Sequence, residues 1–200
     1  MTPSYTLDNI VGAVLPVAAD RQYLVQTRSL RMARGILDQV GGIARQQLQS
    51  GHLLLVSDDH VFPLFGAQVV RSLEQAGFTV HPLLLPDGHD GKVEADEEGA
   101  ARVEQAIDAL PAPRAGLVAL GSGTVNDLAK LPAYNKGLTY GVVATAASMN
   151  GYTSAIAAIL AGGVKRTLPC APPVFVVADM DLIASAPLEM TRAGLGDLLS

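Results

Sequence analysis

Apolar positions along this chain follow two rhythms. Short, densely apolar runs at 53–56, 78–85, 115–120, 138–144 and 174–178 have the length of strands buried on both faces, and 22–26 reads as a shorter strand. Between them apolar residues recur at helical spacing. Ile36, Leu37, Val40, Ile43 and Leu48 predict a helix over 32–48, weakened by Gly41-Gly42, and further helices are expected over 61–76, 97–110, 124–130 and 187–200. Small residues predict one more helix over 154–160, and Gly162-Gly163 then turns the chain into 164–168. Strands alternating with helices predict an α/β fold with a doubly wound, mainly parallel sheet.

The polar residues that interrupt this pattern fall at strand exits, where open parallel sheets place their ligands. Run 115–120 meets Gly121-Ser122-Gly123 and then a helix, the order strand, tight turn, helix. Glycines there let a phosphate approach the backbone, and the free N–H groups of Gly123, Thr124 and Val125 would face it with the helix dipole behind them. A nucleotide pyrophosphate suits such a site. The loop is not GxGxxG, because Asn126 holds the sixth position, nor a Walker A loop. A structural turn capped by Thr124 or Asn126 fits the same residues. Asp58, closing run 53–56, suits either a ribose hydroxyl or the N-cap of the next helix. Thr145-Ala146-Ala147-Ser148-Met149-Asn150-Gly151 follows 138–144 with hydroxyl residues that can bond a ligand or act as caps. Stretch 87–98, with His89, reads as a mobile surface loop. His52, His81 and His89 show no HxxxH or HxxH spacing and His60 has no partner at such spacing, so no metal cage is expected from them.

Composition narrows the function classes. At 200 residues and 49% hydrophobic content the chain suits one α/β domain with the beginning of another. No apolar run reaches the roughly 18 residues of a membrane span. The apolar patch at 10–19 follows Asp8 with no basic region before it, unlike a secretion signal. Cys170 is the only cysteine, which excludes an intrachain disulfide and points to the cytoplasm. A net charge of −5 and 4% aromatic content give no footprint for nucleic acid, and Arg28, Arg31 and Arg34 read as a solvated face.

Four segments in order, GSGTVNDLAK at 121–130, TAASMNGYTS at 145–154, GVKRTLP at 163–169 and APLEMTRAGLGDLLS at 186–200, resemble the sn-glycerol-1-phosphate dehydrogenase family. That family lies within the superfamily of iron-containing alcohol dehydrogenases, glycerol dehydrogenases and dehydroquinate synthases. The resemblance implies an N-terminal domain over 1–170 that binds NAD or NADP, with 171–200 leading into a helical metal-binding domain truncated at Ser200. It implies that the backbone of Gly121, Ser122, Gly123, Thr124, Val125, Asn126 and Asp127 holds the pyrophosphate. Thr145, Ala146, Ala147, Ser148 and Ser154 would line the nicotinamide, and Asp58 would stand near the adenine ribose. Asp197 would be a ligand to a divalent metal (Zn, Ni or Fe), close to the substrate.

The implied chemistry is hydride transfer between nicotinamide and a polyol phosphate such as dihydroxyacetone phosphate, in a homo-oligomer with no nucleic-acid or membrane partner. The family's two histidine metal ligands have no counterpart by residue 200, so the 200-residue chain alone is expected to be inactive. Asn150 stands where the family commonly has a substrate-contacting Asp, and it can hydrogen-bond but carries no charge. A dehydroquinate-synthase-like lyase and a non-catalytic nucleotide-binding module are the alternatives.

Overall fold

A run such as Leu53 to Val56 must pair its backbone donors and acceptors and cover both of its faces, and a central parallel strand achieves both. The computed structural model describes residues 6–18, 21–88 and 90–199. Its first elements are α1 (Leu7–Ile10) and an antiparallel hairpin of β1 (Val14–Ala18) and β2 (Arg21–Leu24). Then follow β3 (Ser29–Ala33), a 3-10 turn (Leu37–Gln39), α2 (Val40–Gln47), β4 (His52–Asp58), a π turn (Phe62–Gly66), α3 (Ala67–Gln75) and β5 (Thr79–Leu85). The second half contains α4 (Glu97–Ala109), β6 (Arg114–Gly121), α5 (Gly123–Asn135), β7 (Tyr140–Ala144), β8 (Ile156–Ala161), β9 (Val164–Pro169), β10 (Phe175–Asp179), α6 (Met180–Ser185) and α7 (Leu188–Leu199).

Six strands form one sheet in the order β3-β10-β7-β6-β4-β5, and every neighbouring pair is parallel. Two apolar layers cover it. Val40 and Ala44 of α2, Val69 and Leu73 of α3, and Leu182 of α6 pack on one face. Val103 and Ile107 of α4, Val125, Leu128 and Ala129 of α5, and Ala157 and Ile159 of β8 pack on the other. The fold is α/β and doubly wound.

Several expectations change. The helix over 32–48 begins only at Val40, because Met32 and Ala33 are laddered to Ala178 and Asp179 as the end of β3. Gly41 serves contact there: its amide donates to Ser72 Oγ at 2.9 Å, and a Cβ would overlap the Ser72 carbonyl. The strand over 22–26 lies at Arg21–Leu24 and pairs with β1, which the apolar patch at 10–19 had not announced. The segment 154–160 is no helix. It enters β8, which alternates buried Ala157, Ile159 and Ala161 with more open positions and pairs with β9 across Gly162-Gly163. Both glycines have positive φ, 58° and 78°, as a two-residue hairpin turn demands. Strand β10, expected to lead out of the first unit, lies inside the sheet between β3 and β7, so a boundary at residue 170 would cut that sheet. His89 lies outside the described residues.

Candidate functional site

The chain reverses direction across the sheet at β4 and β6. Helix α3 leaves β4 on one face and α5 leaves β6 on the other, so their first turns diverge and open a crevice at the carboxyl ends. The exits are knit together below it. Ser57 Oγ donates to Leu120 O at 2.8 Å, and Thr145 N donates to Gly121 O at 3.2 Å.

Ser122 is the N-cap of α5, in extended conformation and without a side-chain cap bond. Asn126 N closes the first helical turn on Ser122 O at 3.0 Å, and the amides of Gly123, Thr124 and Val125 have no partner among the described residues. Three free amides at a helix N-terminus are an anion site by geometry. Neither Thr124 nor Asn126 caps the turn. The glycines answer to packing as well: a Cβ on Gly121 would stand 2.5 Å from Val125 Cβ, and one on Gly123 2.7 Å from Met149 Sδ.

A cleft of about 620 Å³ opens above this turn. Ser122, Gly123 and Thr124 form one side, Ser148 and Met149 the floor between, Lys165 of β9 a flank, and Met190 and Asp197 of α7 the far side. Of the anticipated anion, nicotinamide and carboxylate positions, the cleft brings together Ser122, Gly123, Thr124, Asp127, Ser148 and Asp197. Asn150 sits at the rim, where its backbone N–H donates to Asp197 Oδ2 at 2.8 Å and its Nδ2 donates to Asp197 O at 3.0 Å.

Other anticipated residues lie elsewhere. The Asn126 side chain is fully buried; its Oδ1 accepts from Tyr140 Oη at 3.4 Å and its amide is already engaged on Ser122, so it cannot hold a pyrophosphate. Asp127 does line the cleft, but its carboxylate is engaged by Ala158 N (3.0 Å) and Lys130 Nζ (3.3 Å). Ser154 is turned away: its Oγ accepts from Lys130 Nζ at 3.3 Å and donates to Gly151 O at 2.8 Å. Thr145 and Ala146 are buried beneath the floor, and Ala147 is exposed. Asp58, 7% exposed, caps its own turn, since Oδ1 accepts from His60 N (2.9 Å) and Val61 N (2.7 Å). Above it His60 Nε2 meets the carboxylate of Asp87 at 3.0 Å.

Two residues went unforeseen. Lys130, with its side chain wholly buried, donates to Ile156 O at 2.9 Å and to Gly151 O at 3.3 Å besides Asp127 and Ser154. Burial pushes its pKa below the usual lysine value, and the Asp127 carboxylate partly offsets this. An Asp and a Lys three residues apart in an apolar helix was the available signal. Lys165, in the basic pair after Gly162-Gly163, is the other. Beneath the floor, burial raises Tyr140 well above the usual tyrosine range and Tyr152 to about 12; the Tyr152 hydroxyl donates to Ala146 O at 2.8 Å. The register of β4 against β5, which sets His52 opposite Thr79 and Leu54 opposite His81, also brings two histidines that sequence spacing kept apart into diagonal contact, His52 Nδ1 and His81 Nε2 at 2.8 Å, at the opposite end of the sheet.

No group of three or more His, Cys, Asp or Glu among the described residues is arranged to hold a metal ion. Of the carboxylates that line the cleft, those of Glu94, Asp127 and Asp197, Asp127 is engaged by Lys130 and Ala158 N and Asp197 accepts from Asn150 N, and the described residues by themselves do not complete a divalent-ion site. Among the described residues no helix is long and apolar enough to cross a membrane.

The chain is 34% identical over 148 residues to glycerol-1-phosphate dehydrogenase [NAD(P)+] of Bacillus subtilis, covering 74% of this chain and 37% of that protein. It is 31% identical over 173 residues to the enzyme of the same name from Methanosarcina barkeri, covering 86% and 46%. It thus spans about a third to a half of the length of such relatives. Its fold is similar to that of glycerol dehydrogenase from Schizosaccharomyces pombe (TM-score 0.73, 23% identity, 86% of this chain and 42% of that one). The fold is also similar to that of a 2-deoxy-scyllo-inosose synthase solved with carbaglucose-6-phosphate, NAD+ and Co2+ (TM-score 0.71, 20% identity, 90% and 49%). Residues 31–187, which run from the first sheet strand to the start of α7 and carry the anion turn, match the model of the iron-containing alcohol dehydrogenases. With that span and these relatives, the chain belongs to the iron-containing alcohol dehydrogenase family.

Proposed function

We propose that this chain is the coenzyme-binding part of an NAD(P)-dependent oxidoreductase of the glycerol-1-phosphate dehydrogenase type. Its work is to hold the nicotinamide for hydride exchange with a polyol phosphate such as dihydroxyacetone phosphate. The observation that carries this reading is the set of unpartnered amides at Gly123, Thr124 and Val125, beside a cleft whose far side carries Asp197. The helix N-terminus takes the pyrophosphate, and the glycines around it leave the backbone uncovered. Ser148 lies between that anchor and α7, where a nicotinamide held by the anchor would extend. The hydride chemistry is the coenzyme's own; the protein orients it and shapes the space beside it.

Asp58, at the switch point, caps its own turn, and its negative charge there disfavours a 2′-phosphate on an adenine ribose bound nearby. The names of the relatives admit either coenzyme. The family name points to a divalent ion; the described residues by themselves supply no complete ligand set for it, and Asp197 is the carboxylate that would contribute to one. A cytoplasmic setting is supported by the single cysteine.

Titration of the chain with NADH and with NADPH, read by calorimetry, tests the reading. Saturable binding with NADH the tighter of the two is expected; a folded sample that binds neither would overturn it.

A further inference from the structure

Helix α7 is attached to the rest of the molecule by few contacts. Gly194 is its only buried residue, while Leu188, Leu195, Leu198 and Leu199 are exposed. At Gly194 the helix lies so close to the loop after β7 that a Cβ would overlap the Ala147 carbonyl oxygen. One turn further on, Asn150 supplies two donors from the same loop, its backbone N–H to Asp197 Oδ2 and its side-chain Nδ2 to Asp197 O. One residue of the loop thus grips both the side chain and the backbone of one residue of the helix.

We propose that Asn150 is a positioning residue: its side-chain amide latches α7 at Asp197 to the loop after β7 and so holds the Asp197 carboxylate over the cleft. This deepens the coenzyme-site reading, on which it rests only for the meaning of where Asp197 points. The latch explains why an amide occupies this position. Nδ2 faces a carbonyl oxygen 3.0 Å away. An ionised carboxylate of the same shape would have no proton to donate and would set a negative charge against both that oxygen and the neighbouring Asp197.

The test is isosteric. Hydrogen–deuterium exchange is followed in segment 188–199 for the wild type, Asn150→Asp and Asn150→Ala, with segment 114–121 as the core reference. At pH 7 the α7 amides of Asn150→Asp should exchange roughly tenfold faster than wild type, with Asn150→Ala between them and the core unchanged. A role in packing alone would reverse that order, because Asn150→Ala loses the whole side chain whereas Asn150→Asp keeps its shape. Wild-type exchange in Asn150→Asp, or exchange faster in Asn150→Ala than in Asn150→Asp with the core protected, overturns the proposal. If Asn150→Asp loses core protection, Asn150→Ala decides alone: faster α7 exchange supports the latch and unchanged exchange overturns it. No coenzyme enters the experiment, so its failure leaves the coenzyme reading standing, and a failed titration leaves the latch standing.

Discussion

The side of the cleft formed by the turn from β6 into α5 and the side formed by α7 offer comparable chemistry on unequal foundations. Beneath the first, β6 is buried along Ala115–Leu120, Val125 and Leu128 are sealed in the core, and Lys130 ties α5 to the hairpin of β8 and β9 and to the loop after β7. Helix α7 has one close approach at Gly194, two hydrogen bonds from Asn150 and a row of leucines facing outward. An anion anchor must be preorganised, because amides that had to be freed from other partners would bind weakly. The contrast therefore separates the proposed coenzyme seat, rooted in the core, from a wall whose described contacts lie mainly with the loop after β7.

The most severe way to break this contrast is to cut the tie beneath α5. Lys130→Met keeps the length and apolar stem of the side chain but leaves the Asp127 carboxylate, Ile156 O and Gly151 O without their cation. Removing one partner of a buried pair costs about 3 kcal/mol. The urea midpoint should fall accordingly, with an unchanged m-value. If stability is unaffected, α5 is not held in the way described, and the distinction between a wall rooted in the core and one that is not fails.

A gentler change sharpens the contrast without unsettling the fold. Ser122 caps α5 without a side-chain bond. Aspartate is at least as good an N-cap and complements the helix dipole, so Ser122→Asp should be as stable as wild type or more so. The same carboxylate occupies the approach of a pyrophosphate. The affinity for NADH should therefore drop by about tenfold or more. A stable variant that binds coenzyme normally would show that the free amides of Gly123, Thr124 and Val125 are not where the phosphates rest.

The strands were legible because burial on both faces writes them as apolar runs that nothing else on a chain of this kind resembles. Segment 154–160 was misread because Ala155, Ala157, Ala158 and Ala161 carry so little side chain that period 2 and period 3.6 look alike. Only pairing with β9 decides between them. Arg31 and Met32 read as surface and helix, since an edge strand with a solvated face lacks the apolar density of its neighbours. At the site, the Gly turn and Asp197 could be found because they are local in sequence. The engagement of Asp127 and Ser154 within the protein could not, because it depends on Lys130 reaching across to the loop after β7 and to β8, a contact of long range that no spacing rule records.

The smallest expected effect concerns the floor that joins the two walls. Tyr152 anchors the loop between β7 and β8 through its bond to Ala146 O, and burial above all raises its pKa to about 12, above the ordinary tyrosine value. A folded-state pKa above the unfolded one means that the folded protein keeps the phenol proton while the unfolded chain loses it. The associated stability is complete below about pH 10 and is lost as pH rises toward 12. Tyr140, raised in the same direction, adds to that alkaline loss. Lys130 acts oppositely, because its lowered folded-state pKa makes stability rise with pH until the unfolded lysine titrates near 10.5. The melting temperature should therefore hold up or climb slightly below pH 10 and fall between pH 10 and 12. Tyr152→Phe should cost about 1 kcal/mol at neutral pH through the lost hydrogen bond and flatten only part of the alkaline fall, the share of Tyr140 remaining. If the alkaline slope is the same in Tyr152→Phe and wild type, the loop between the walls is not fixed by this hydroxyl, and the floor belongs with α7 rather than with the sheet.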